Sequence, residues 1–155
     1  PSWHRPEEDT VTVSYRPLPS PGTHNIVGLD GFGPGPAFSD AVRIELGAGA
    51  LVLVSGKIAR RSGPDAEPMG MREQAQGIFA NIARTLEREG GVLAHVVRMR
   101  IYVTDISGEA VRALHEVRAE LFDHDRFPAS TLVQVSGFVV PEALVEIEVE
   151  AFIPA

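Results

Sequence analysis

From position 145 to 151 the chain reads VEIEVEA, with Val145, Ile147, Val149 and Ala151 alternating with Glu146, Glu148 and Glu150. A period of two is strand geometry, so the three carboxylates share one face and the apolar residues share the other. The apolar face requires a second layer to cover it. Like charges stacked on the opposite face require water, cationic partners or a chemical use. The pattern belongs to a longer unit, residues 127–148, in which two β-patterned runs, 131–135 and 144–153, flank a turn holding Gly137 and Pro141.

The other elements fall in order around this pair. Residues 1–36 hold seven of the twelve prolines, together with Gly22, Gly28, Gly31, Gly33 and Gly35, and read as an arm laid over a domain formed by 37–155. Within the arm only 10–15 alternate well enough for a strand, with Val11 and Val13 on one side. Two strands are expected at 41–46 and 51–59, joined by the small-residue turn 47–50. Lys57, Arg60 and Arg61 follow, and 62–65 form a loop. Met71, Ala75, Ile78, Phe79, Ile82, Ala83 and Leu86 keep helical spacing over 71–89, and Gly90-Gly91 ends that helix. A third strand spans 92–104, with Val97, Met99, Ile101 and Val103 opposite Arg98, Arg100 and Tyr102. Asp105 or Ser107 caps a second helix, 109–123, whose stripe is Ala110, Leu114, Val117 and Leu121. After the arm the order is β-β-α-β-α-β-β, without a repeat or a second domain.

Composition removes several classes of function. The 155 residues suit one domain, and the absence of cysteine excludes disulfides, thiolate nucleophiles and zinc–thiolate sites. A net charge of -7 opposes binding to a nucleic acid, and no apolar run is long enough to span a bilayer. No secretory leader is evident, so a cytoplasmic protein is expected. Gly31–Gly35 lacks the Lys and Ser/Thr of a phosphate loop. His4, His24, His95, His115 and His124 have no metal-ligand spacing, and no Gly-x-Ser-x-Gly occurs. No cofactor or metal is expected.

Two helices with one apolar stripe each cover one sheet face. Residues 51–54 (LVLV) are nonetheless apolar on both faces. The open face of a monomer would expose a large apolar patch, and assembly of several copies through that face is the simplest remedy.

Three short segments, Ser55-Gly56-Lys57-Ile58, Phe127-Pro128-Ala129 and Val145-Glu146-Ile147-Glu148, occur in an order and spacing that resembles the RidA/YjgF family, also labelled endoribonuclease L-PSP. The resemblance runs from about 37 to 153. It implies an α+β, chorismate-mutase-like fold with two helices on one face of the sheet, and a homotrimer. It also implies small-molecule clefts between subunits, where carboxylated imines or enamines are hydrolysed to ketoacids and ammonia.

The departures matter too. The family's arginine after Pro-Ala, which grips the substrate carboxylate, is replaced by Ser130. The tyrosine near the first strand is replaced by Phe38, and the asparagine of the second helix falls at Ala113. Glu146 keeps the place of the carboxylate that positions or activates water. The resemblance therefore implies Glu146 as acid/base, with Phe38, Ser55, Gly56, Ala113, Ser130, Thr131 and Leu132 as ligand-binding positions. From the residues alone, Glu146 reads rather as one carboxylate of a polar strand face, and Ser130-Thr131 as an ordinary strand start. Glu148 is expected to be structural, paired across the interface with Arg98 or Arg100. Arg60 and Arg61 are further candidates for the missing positive charge, or else a solvated loop pair. Three functions stay open: a trimeric imine, enamine or enol hydrolase or tautomerase with weak action on 2-aminoacrylate, a non-catalytic small-molecule binder, and, least favoured, an RNA-cleaving protein.

Overall fold

Strand β6 (Val145–Pro154) lies between two others and sets the architecture. The computed structural model describes residues 11–17, 38–61 and 67–155. Most of the expected arm, the 31–35 glycine run, the 62–65 loop, His4 and His24 lie outside the described residues. The elements in chain order are β1 (Val13–Arg16), β2 (Ala41–Glu45), β3 (Gly49–Lys57), α1 (Met71–Arg88), β4 (Val96–Val103), α2 (Gly108–Leu121), β5 (Ala129–Gln134) and β6. They form a six-stranded sheet in the order β1-β2-β3-β6-β4-β5. Only the β4–β5 pair is parallel.

The alternation in β6 is realised as expected. Val145, Ile147, Val149 and Ala151 are buried against the helices, while Glu146, Glu148 and Glu150 are half-buried on the open face. Val52 and Val54 of β3, and Met99, Ile101 and Val103 of β4, complete the strand side of the core. Ile78, Phe79, Ile82 and Leu86 of α1 and Leu114 and Val117 of α2 pack down on it. The α1 stripe therefore does what its spacing implies. Helix α1 ends where Gly90 adopts φ +79°, a left-handed conformation open to glycine, and Gly91 N–H donates to the Leu86 carbonyl at 2.8 Å. At the start of α2, Ser107 Oγ accepts from Ala110 N–H at 3.4 Å and donates to Asp105 at 2.8 Å, so both expected capping residues take part.

Some details differ from the sequence reading, among them Leu121 of the expected α2 stripe, which lies in the last turn and is 42% exposed. The third strand begins at Val96, after a short 3-10 turn over Leu93–His95, and the β4–β6 register shifts between Val96 and Arg98. Val96 therefore takes the buried place expected for Val97, which is 49% exposed. The first strand is β1, Val13–Arg16, slightly later than 10–15. It pairs with β2 as the sheet edge and is tied to the end of α1 by Arg16 Nε–Glu89 Oε1 at 2.6 Å.

Under the helices lies an ion pair that sequence reading did not single out. Asp40 is 1% exposed and Lys57 4%, and the two are joined directly. Arg88 also reaches Asp40, and Thr85 Oγ1 donates to it at 3.2 Å. Burial alone would raise the Asp40 pKa, but Lys57, Arg88 and Thr85 hold it below the ordinary carboxylate value. Burial lowers the Lys57 pKa against the pull of Asp40. Asp40→Ala strands a buried ammonium and should cost about 3–5 kcal/mol in denaturant titration at fixed protein concentration. Asp40→Leu combined with Lys57→Met should recover most of the loss. A single variant within about 1 kcal/mol of wild type would contradict this role.

Candidate functional site

Glu146 sits where β3, β6 and β4 run side by side. In β3 the pairing with β6 is regular up to Val54 and resumes at Lys57, so Ser55 and Gly56 form an irregular step beside the start of β6. That step brings Gly56 against the Glu146 side chain so closely that an added Cβ would collide with the carboxylate. Glycine is required here by contact, not by backbone angle. Ser55 Oγ donates to the Ser39 carbonyl at 2.6 Å, and Ser55 N–H to the Asp40 carbonyl at 3.1 Å. These bonds bring exposed Phe38, just ahead of β2, to the same corner of the sheet. Phe38, Ser55, Gly56 and Glu146 are thus gathered in one place.

The electrostatics single out Glu146 within its column. Arg98 lies opposite Glu150 and Arg100 opposite Glu148, because β4 is the direct neighbour of β6. Arg100 donates to Glu148 at 2.8 Å and to Glu150 at 2.7 Å, and Arg98 lies 3.9 Å from Glu150. The partner expected for Glu148 across an interface is therefore found within the chain. Glu146 lies opposite Tyr102 and has no hydrogen bond or ion pair among the described residues. Burial raises its pKa, and the neighbouring Glu148 charge raises it further. Tyr102 donates to Glu148 at 3.4 Å. Its position beside Glu146 is a feature the sequence reading left unused, although alternation along β4 places it on that face.

The remaining candidates lie elsewhere. Thr131 pairs in register with Arg100 and shares the open face, but it stands two strands from β6, roughly 10 Å away at ordinary strand spacing. Ser130 and Leu132 pair with Met99 and Ile101, both fully buried, and so belong to the helix side. Leu132 packs against the core, whereas Ser130 remains exposed at the sheet edge. Ala113 is in α2, on the flank of Glu116 and Glu120. Arg72 of α1 bonds both of those glutamates, at 2.8 Å for Glu116, so that flank faces α1. The candidates thus form two groups on different faces, which one chain does not bring together.

Of the basic loop pair, Arg61 is engaged by Glu73 at 2.7 Å. His95 Nδ1 accepts from Val92 N–H at 3.2 Å, and His124 stacks edge-on to Phe127. Among the described residues no three His, Cys, Asp or Glu side chains are grouped to hold a metal. No described helix is long and apolar enough to cross a membrane.

Comparison with known proteins agrees with this fold. The profile of the family described as Endoribonuclease L-PSP matches residues 32–153. A crystal structure of a YjgF/YER057c/UK114 family member from Mycobacterium tuberculosis is 32% identical, with TM-score 0.66 over 92% of this chain and 100% of that one. A protein of unknown function from Pseudomonas aeruginosa is 29% identical, with TM-score 0.68 over 92% and 94%. RidA from an Antarctic Psychrobacter is 27% identical, with TM-score 0.61 over 77% and 91%. A match over most of the chain, on the fold its own residues dictate, shows that this protein belongs to the YjgF/RidA (L-PSP) family.

Proposed function

We propose that the protein is a homotrimer that binds a small metabolite in clefts between copies, with Glu146 moving a proton or positioning water to hydrolyse or tautomerise an imine, enamine or enol. The observation that carries this reading is Glu146 itself. It is the member of its column without a cation, half-buried, with its pKa raised by burial and by Glu148. A carboxylate in that state accepts protons more readily than a solvated one. The open sheet face supports assembly. Val13, Tyr15 and Phe152 are exposed there, and Val42, Ile44, Leu51 and Leu53 are only half-buried, which forms an apolar field beside the charged column. The separation of Glu146, Gly56 and Phe38 from Ser130 and Leu132 also fits a cleft built from two copies.

A binder without catalysis is the second reading, favoured by the replacement of the family's gripping arginine by Ser130. RNA cleavage, the activity in the family's description, is favoured least. The chain carries a net charge of -7, and Arg98 and Arg100 on the open face are already engaged by glutamates.

The test is turnover of small imines and enamines by wild type and Glu146→Gln. Turnover by wild type should rise with pH through a midpoint above the ordinary glutamate range, and Glu146→Gln should lose it by about 100-fold or more. A glutamine variant that turns over normally would contradict the role of Glu146, whereas ligand binding by both proteins without turnover would establish the binder. Ammonia release from 2-aminoacrylate should be about 100-fold slower than that of arginine-containing relatives assayed alongside; equal rates would contradict the reading of Ser130.

Gly56→Ala separates folding from site geometry. The added methyl meets the end of a flexible side chain, so stability should change by no more than about 1 kcal/mol while Glu146 is displaced and turnover falls at least about 10-fold. Unchanged turnover in a folded Gly56→Ala variant would show that the contact does not position Glu146.

A further inference from the structure

Helix α2 carries a cation with no counterpart. Arg118 is half-buried, its Nε is shielded from solvent, and no hydrogen bond or ion pair reaches its side chain among the described residues. By contrast Arg16, Arg61, Arg72, Arg88 and Arg100 each hold a carboxylate. Burial lowers the pKa of Arg118 and no nearby carboxylate opposes it, yet a guanidinium stays charged at any ordinary pH. The shielded Nε lacks an acceptor, and the terminal nitrogens, which are not buried, are left free to take an anion supplied from outside the chain.

Helix geometry locates it. Glu116 and Glu120 mark the flank of α2 that faces α1, through Arg72. At about 100° per residue, Arg118 lies about 200° from each, on the opposite flank. It is only about 40° from Leu114, which is buried, and this explains why its stem is covered. Strands β4 and β5 are parallel, so the helix connecting them runs back antiparallel to both. Its last turn therefore stands over the strand starts, where Ser130 is the second residue of β5. Because α1 packs over β3 and β6, the outer flank of α2 overlooks the free edge of β5. Arg118 and the exposed Ser130 hydroxyl thus belong to one corner of the molecule.

We propose that Arg118 is the anion-binding residue of the cleft, holding with Ser130 the carboxylate of a small ligand whose reacting end meets Glu146 of a neighbouring copy. This deepens the reading above and rests on it. A guanidinium reaching from the helix holds a carboxylate at a different place from one rooted at position 130. The preferred ligand therefore differs in length from 2-aminoacrylate, and Arg118 sets that preference.

The test titrates straight-chain 2-oxo acids, from pyruvate to 2-oxohexanoate, each beside its neutral amide, into the assembled protein by calorimetry. Wild type should bind its best acid at least about 10-fold more tightly than the matching amide. Arg118→Gln should weaken the acid about 10- to 100-fold, leave the amide unchanged and keep the assembly mass. Arg118→Lys, which keeps the charge but not the fork, should fall between them. If the glutamine variant does not fold, the lysine variant decides, since wild-type acid binding by it would overturn the proposal. So would an Arg118→Gln protein that keeps the preference, a wild type with none, or dissociation of the assembly by Arg118→Gln. Glu146→Gln should retain acid binding, so loss of turnover with an intact preference separates the two claims.

Discussion

A sheet covered by helices on one face only must do something with the other. Here that constraint is sharpened by β6, which carries a wholly apolar edge to the helices and a column of three glutamates to the open side. Arg100 spans two of the three, and its guanidinium is engaged by Glu148 and Glu150 rather than by Glu146. Glu146 is what remains after the sheet has neutralised the rest of the column. It is held half-buried against Gly56, where a carboxylate gains basicity and loses solvent. The same open face turns apolar toward β1, β2 and β3, so the surface proposed to bring copies together borders the one that holds Glu146, the proposed acid/base.

The buried Asp40–Lys57 pair supports this corner from beneath. Asp40 precedes β2 and Lys57 ends β3, and together they join the ends of the two strands near Phe38, Ser55 and Gly56. A pair so thoroughly removed from water contributes less to net stability than its contacts suggest. It lies next to the place where β3 breaks step and Gly56 meets Glu146.

Much of the fold was legible because it rests on local periodicity. The two-residue pattern of β6, the stripe of α1 and the Ser107 cap are written within a few residues of one another, and element order with family resemblance supplied the rest. What was not legible depends on register between distant segments. Val97 reads as buried until the β4–β6 shift turns it outward, and Arg100 reads as free to cross an interface until β4 and β6 become neighbours. Lys57 looks like a loop cation until the irregular step at Ser55–Gly56 turns it inward. At the site, the structure places Ser55 and Gly56 beside Glu146, whereas Ser130, Leu132 and Ala113 fall on the helix side. Arg118 drew no attention in the sequence because a helical arginine is ordinarily solvated; only its shielded, unpaired Nε, visible in three dimensions, marks it.

Glu146 and Arg118, each half-buried without a side-chain partner among the described residues, face different ways in one chain, and an account in which both are used needs more than one copy. Sedimentation equilibrium of the purified protein at micromolar concentration addresses that requirement most directly. The account predicts a single species of three times the 16.7 kDa chain mass. A species of one chain mass would contradict it, since Glu146 would then face solvent with no second copy to complete its cleft.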